Sequence, residues 1–415
     1  MAGRAALAAA MFLALMAAPA LPATFTPERG ISMNLWVTWP DSARWNDPAV
    51  VETFPEWRAH VSQGDLDRLR QAGFDTLRLP VEPGFLMHDE SPLRLATILG
   101  GLDRAIGMAV GAGLGVIVDM HPIPRGDESG IAGTGQLLRE DALFDRYASL
   151  LARLAARLER WPADTVALEV MNEPTLDCYD RREQARWADR LERLHRAARA
   201  ANDAITLIVS GACWGSADGL AAMDPDRLAD DNTLWSFHSY EPFIVTHQGA
   251  TWGGDIVAHL RDIPWPPTEL GPADVAALLA ANEARITDAL DGRRARRAIG
   301  FLRDNARRLN ELDDPAEAIL QPFQTAAAWA DRHDIARERI FLGEFGMIGR
   351  EWGTDLDVPA QYRLNYMRAM IGQAEAHGFG WSVWSYGGAF GLVQGYDGRP
   401  LAEPLYDRLI WTLTD

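Results

Sequence analysis

Two glutamates stand where apolar runs give out. Glu173 lies in Val170-Met171-Asn172-Glu173-Pro174, and Glu344 in Phe341-Leu342-Gly343-Glu344-Phe345-Gly346. The runs before them, 165–171 and 339–342, have the composition of buried strands, so each glutamate is expected where a strand gives way to a loop. A charge at such a position wastes apolar surface unless it acts. Two carboxyl groups are what acid–base and nucleophilic chemistry on a glycosidic bond uses. In the retaining geometry they stand about 5 Å apart: one attacks the anomeric carbon, and the other protonates the leaving oxygen and later activates water. They must titrate differently. A nearby arginine keeps the nucleophile ionised, and neighbouring negative charge helps the acid hold its proton.

Such a pair needs elements that bring its members together. Short apolar runs at 30–35, 76–79, 115–120, 165–171, 205–210, 234–237, 339–342 and 380–384 read as strands. Amphipathic patterns at 64–72, 96–112, 141–160, 182–201 and 359–376 read as helices. Gly73 and Gly113 fall where two of these should stop, and glycine tolerates the left-handed geometry of a helix end. Eight strand–helix alternations predict an α/β protein, a closed (β/α)8 TIM barrel. An open doubly wound sheet is the structural alternative, but no glycine-rich phosphate turn follows the first strand. The rhythm breaks once. Residues 241–335 form an extended connection between strands six and seven, with Trp252 and Ile263-Pro264-Trp265-Pro266-Pro267 followed by helical patterns at 272–290, 298–312 and 315–333. This long helical insertion either shapes a binding cleft or only stabilises.

In a barrel the C-terminal strand ends surround one pocket. Candidates there are Asn34 and Trp36 on strand one, Arg78 on two, Asp119 and His121 on three, and Asn172 and Glu173 on four. Trp214 follows strand five; His238 and Tyr240 end six, Glu344 seven and Trp384 eight. Their types suggest roles. Arg78 with Tyr240 holds Glu344 ionised as nucleophile, while Glu173 is the acid/base with His238 hydrogen-bonded to it. Asn172 can bond the sugar hydroxyl beside the reacting carbon, and Trp384 offers a flat face to a pyranose. His121 either takes part or braces a neighbour, and Asp119 reads as a brace. Trp36, Trp214 and Trp252 are either stacking platforms or core. This chemistry calls for no cofactor and no metal.

With these residues in place, the chain resembles glycoside hydrolase family 5, the cellulase and mannanase family of clan A barrels. The resemblance runs from Arg29-Gly30-Ile31-Ser32-Met33-Asn34 to Trp384, excluding 241–335. The family's arginine falls on Arg78, its first histidine on His121, and its Asn-Glu-Pro on Asn172-Glu173-Pro174. Its His-x-Tyr falls on His238 and Tyr240, its nucleophile on Glu344 and its stacking tryptophan on Trp384. The resemblance implies a retaining, endo-β-1,4-glucanase-like hydrolase of a β-linked glucan or related saccharide. β-Mannan, β-1,3-glucan, mixed-linkage glucan and an exopolysaccharide are alternative substrates. A metal-dependent barrel hydrolase using Asp119, His121, His238 and a glutamate is a different class, but His-x-His and His-Glu-x-x-His spacings are absent. A non-catalytic saccharide-binding barrel would have no need of both glutamates.

Composition bounds the rest. Residues 1–23 read as a secretory signal peptide, with Arg4, a short apolar core and small residues before Ala23. That core is shorter than the ~20 residues of a membrane span. The ~390 remaining residues suit a single catalytic domain over 24–415. The protein is thus expected to be secreted or periplasmic, free of the membrane once the signal is removed, and monomeric. A net charge of −18 disfavours nucleic acid. The sequence contains no lysine, which carries no functional weight. Its two cysteines, Cys178 and Cys213, either pair or remain partly buried thiols.

Overall fold

The eight expected strands close into one parallel barrel in sequence order: β1 (Arg29–Ser32), β2 (Thr76–Val81), β3 (Gly115–Met120), β4 (Val166–Glu169), β5 (Thr206–Ser210), β6 (Thr233–His238), β7 (Ile340–Phe345) and β8 (Gly380–Val383). The ring is sealed by β8 pairing with β1, Gly30 opposite Ser382. The computed structural model describes residues 24–37, 61–88, 92–122, 133–228, 230–267, 270–396 and 398–410. The expected signal at 1–23 lies outside them. No helix among the described residues is long and apolar enough to cross a membrane.

Strand residues alternate between two environments, as a period of two demands. Leu77, Val116, Val118, Leu168, Leu207 and Val209 belong to the large core shared with the surrounding helices. Their neighbours form a separate small cluster, in which Phe25 joins Ile117, Ala167, Ile208, Leu234 and Phe341. Two residues further along the same strands the chain turns polar: Ile117 is followed by Asp119, Ala167 by Glu169, Ile208 by Ser210 and Leu234 by Ser236, all buried. The barrel interior is therefore apolar at one end and charged at the other.

Helices Gln63–Gln71, Pro92–Gly111, Asp141–Leu158, Arg181–Ala201 and Ala360–Ala376 cover the outside. The fourth shows why such segments hold. Asp180 caps it by accepting from the backbone N–H of Arg182 and Glu183. Trp187, Leu191, Leu194 and Ala198, at helical spacing, form its buried face. Each leucine so buried contributes ~1.5–3 kcal/mol. Gly73 ends the first helix at φ +97° and Gly113 the second at φ +76°, where a Cβ would be strained.

After β6 the chain forms three further long helices, Pro272–Ala289, Gly292–Asn310 and Glu317–Arg332, before β7. The long helical insertion expected there is present. Cys178 and Cys213 form a disulfide, which joins the connections that leave β4 and β5.

Candidate active site

At the charged end of the barrel Arg78 is the hub. Its Nη1 donates to Glu344 Oε1 at 2.6 Å, its Nε to Glu169 Oε2 at 2.7 Å and its Nη2 to Asn172 Oδ1 at 2.8 Å. Asp119 Oδ2 lies 2.9 Å from Nη2. One guanidinium thus faces three carboxyl groups with essentially no exposure to water. Arg geometry suits this, because its planar donors serve several acceptors at fixed angles. Burial opposes the charge of Arg78, but Asp119, Glu169 and Glu344 together hold its pKa well above the usual arginine value.

Glu344 reaches this hub through a bulge. Phe237 of β6 pairs with Leu342 of β7, but His238 pairs with Glu344, so Gly343 is an extra residue. A Cβ at Gly343 would lie 2.5 Å from Ser236 Oγ and 2.9 Å from His238 Nε2, so only glycine fits there. The bulge sets Glu344 between two donors. Arg78 takes Oε1, and the Tyr240 hydroxyl donates to Oε2 at 2.9 Å.

Glu173 has different surroundings. Its backbone is left-handed at φ 42°, a sparsely populated conformation of the kind that clusters at active sites. His238 Nδ1 lies 3.0 Å from Glu173 Oε1. Burial pushes the Glu173 carboxyl up to about 7; His121 and Arg78 pull against this and Glu169 adds to it. Burial also lowers His238, to about 4, so this imidazole is neutral near pH 7. An oxygen of each glutamate and a nitrogen of His238 lie within 4.8 Å of one another. The same trio has the donor types to hold a cation. The Arg78 guanidinium already stands against Glu344, however, and His238 Nδ1 is engaged with Glu173.

The other residues selected from the sequence divide into groups. Glu173, Glu344, His121, His238, Tyr240, Trp214, Trp252 and Trp384 all line one cleft of about 890 Å³. His121 stacks on Trp384 with ring planes 8° apart, and its Nδ1 is held by Asp119 Oδ2 at 2.6 Å. Arg78 and Asn172 lie buried below, and Asn172 Nδ2 faces His121 Nε2 at 3.4 Å. Asn34 stands apart: its Oδ1 accepts from Gly387 N, tying the exit of β1 to that of β8. The stacking alternative for Trp36 is corrected. A turn after β1, with Trp36 N donating to Met33 O, folds the indole into the core at 1% exposure. Trp214 and Trp252 are instead 48% and 54% exposed in the cleft. Trp214 is presented by a left-handed turn, with Cys213 at φ 53° and Trp214 at φ 60°, pinned by the disulfide and by Trp214 N bonding Pro174 O.

Glu169 was not selected from the sequence. Its signal is a lone carboxylate inside Val166-Ala167-Leu168-Glu169-Val170, a buried parallel strand that should be apolar throughout. The aromatic wall of Phe243, His247 and Phe390 was missed too. His247 packs against Phe243 at 4.1 Å, Tyr240 at 4.9 Å, Trp252 at 5.2 Å and Phe390 at 5.3 Å, all ring centroids. These residues come from the connections after β6 and β8, where no period marks them. Part of the 241–335 connection therefore forms a cleft wall, through Trp252, Ile256 and Pro322.

Comparison with known proteins gives a consistent picture. Residues 47–390 match the family described as cellulase (glycosyl hydrolase family 5). Endoglucanase 3 of Fibrobacter succinogenes is 24% identical over 80% of this chain; the match spans 47% of that protein, so the chain corresponds to about half its length. Endoglucanase C of Acetivibrio thermocellus is 22% identical over 84% of this chain and 90% of its own length. Among solved structures, Thermotoga maritima Cel5A in complex with cellobiose superposes with a TM-score of 0.61 at 19% identity, covering 94% of this chain and 97% of that one. At that identity the likeness concerns the fold.

Proposed function

The chain belongs to glycosyl hydrolase family 5, whose members hydrolyse O-glycosyl bonds, and from that premise we propose that it is a retaining endo-β-1,4-glucanase. The observation that carries the mechanism is the pair of carboxyl groups with oxygens within 4.8 Å and unequal partners. That separation suits double displacement and leaves little room for the interposed water of an inverting enzyme. Glu344 attacks the anomeric carbon, oriented by Arg78 and Tyr240. Glu173 gives its proton to the departing oxygen, and its raised pKa supplies that proton near neutral pH. A glycosyl–Glu344 ester forms. Glu173, now a carboxylate, removes a proton from water as that water attacks the same carbon and expels Glu344. His238 shares a proton with Glu173 across 3.0 Å and keeps it aimed. The Trp384 face, set by stacking on His121, supports the sugar ring.

The curated relatives named endoglucanase support a glucan over mannan or an exopolysaccharide, and the β-1,4 linkage is the reading proposed here. We place the protein outside the cytosol, a reading supported by the apolar leader and by a disulfide, a bond rare in reducing compartments. The test is a panel of defined β-linked oligosaccharides with product analysis. Internal cleavage of β-1,4-gluco-oligosaccharides, unchanged by EDTA, is expected. Activity lost to EDTA and restored by a divalent metal would instead favour the metal-dependent class.

A further inference from the structure

Large exposed aromatic side chains gather at one end of the barrel. Among the described residues they are Tyr179, Trp214, Trp252, Trp352 and Tyr396. Each lies in the connection leaving the C-terminal end of a strand, after β4, β5, β6, β7 and β8 in turn. Trp214 and Trp252 line the cleft, and the reaction at the glutamates accounts for them. Trp352 and Tyr396 lie outside it. Trp352 is 70% exposed, so it contributes little to folding, and with Tyr396 it adds exposed aromatic surface outside the cleft.

The two rings form a built feature. They meet edge to face with centroids 5.7 Å apart and planes at 77°. Beneath them Glu351 is 7% exposed. Its Oε1 accepts from the Trp352 backbone N–H at 2.9 Å and from the Tyr396 hydroxyl at 3.5 Å, while its Oε2 has no hydrogen-bond partner among the described residues. The connections carrying the rings are tied together, since Gly349 N and Arg350 N both donate to Ala389 O. Ala389 precedes Phe390 of the cleft wall, and Tyr396 comes within 3.9 Å of a Cβ built on Gly388, beside Asn34. The pair therefore sits on the rim next to the cleft, past Phe390 and Asn34.

Flat aromatic surface edged by polar groups takes the C–H face of a pyranose ring. We propose that Trp352 and Tyr396 form a distal saccharide subsite, which binds a β-1,4-linked glucan chain beyond the sugars held at the glutamates. Such a subsite makes the protein discriminate by chain length: short oligosaccharides fill only the cleft, and longer ones also cover Trp352. The inference rests on the reading of the cleft as a glucan site, and its test separates the two.

Binding is measured by calorimetry in the full-length Glu344→Gln variant, with β-1,4-gluco-oligosaccharides of three to six units. Adding Trp352→Ala is expected to weaken the longest chain about tenfold, ~1.4 kcal/mol of lost stacking, and to leave the shortest unchanged. Tyr396→Ala should act in the same direction with a smaller effect. Thermal melting unchanged by Trp352→Ala would verify that the loss is local. Equal affinities with and without Trp352 at every length overturn the proposal, as does an equal loss at every length or no binding by the Glu344→Gln parent. If that parent binds the chains in a Trp352-dependent way but the Glu344 enzyme cleaves none of them, the hydrolytic reading fails and the subsite stands.

Discussion

At the floor of the cleft Arg78, Asp119, Glu169 and Glu344 share one buried charge network carried by four strands; at its rim Trp214, Trp252, Trp352 and Tyr396 stand exposed on four connections. Each floor group is fixed by at least one other, and it is the loss of Arg78 that would leave buried carboxyl groups without their cation. The rim residues are held mainly by their own backbones and by local ties such as the Cys178–Cys213 bridge. The barrel therefore determines what reaction can occur, and the loops determine what is presented to it. Substitutions should divide accordingly, floor changes lowering turnover and rim changes weakening binding.

The largest effects belong to the glutamates. Glu344→Ala and Glu173→Ala are each expected to lower kcat on the order of 10³-fold or more while circular dichroism and melting stay near the parent. An aryl glycoside with an acidic leaving group sharpens the distinction, because it departs without a proton. On it Glu173→Ala should form the glycosyl intermediate rapidly, and Glu344→Ala should not. Equal failure in that single-turnover step would erase the assigned roles.

Arg78→Leu comes next. Removing the cation strands Asp119, Glu169 and Glu344, with a loss of ~3–5 kcal/mol in chemical denaturation besides loss of activity. A variant as stable as its parent would mean that the floor network is not what the floor depends on.

The third effect is a pH profile. Glu173 must be protonated to act as acid, so kcat/KM should fall about tenfold per pH unit above about 7. Stability follows the same titration. The folded state raises this carboxyl from 4.5 to about 7, so its contribution is fully present below pH 4.5 and is lost as pH rises through 7. Glu173→Gln should therefore exceed the parent in stability at pH 8 by on the order of 1–2 kcal/mol, and by much less at pH 4. Urea melts at the two pH values check this.

The smallest effect is at the rim. Trp252→Ala should raise KM about five- to tenfold on soluble glucan, the size of one lost aromatic contact, with kcat within about twofold. A large fall in kcat with KM unchanged would place Trp252 in the floor class.

The same division sets what could be read from the sequence. The strands were legible because buried parallel strands are continuous apolar runs, and a charge in or after one stands out; Glu173 and Glu344 stand at strand exits, Arg78 and Asp119 within their runs. Glu169 carries the same signal inside its run, but it lies four residues before the more conspicuous Glu173 at the strand exit. Trp36 stays open between platform and core in the sequence because spacing cannot tell that a turn after β1 folds the indole inward. Phe390, His247 and the Trp352–Tyr396 pair were illegible for a different reason: loop residues have no period, and their neighbours are set by contacts between distant connections such as Ala389 with Gly349. The pairing of Cys178 with Cys213 likewise depended on how close two successive strand exits would come.

The central claim is that Glu344 and Glu173 act by double displacement on a β-glycosidic bond. The most direct measurement is proton NMR of the first-formed product from a β-1,4-gluco-oligosaccharide, recorded before mutarotation. The account predicts the β-anomer first, with the α-anomer appearing only as the sugar equilibrates. First appearance of the α-anomer would contradict it.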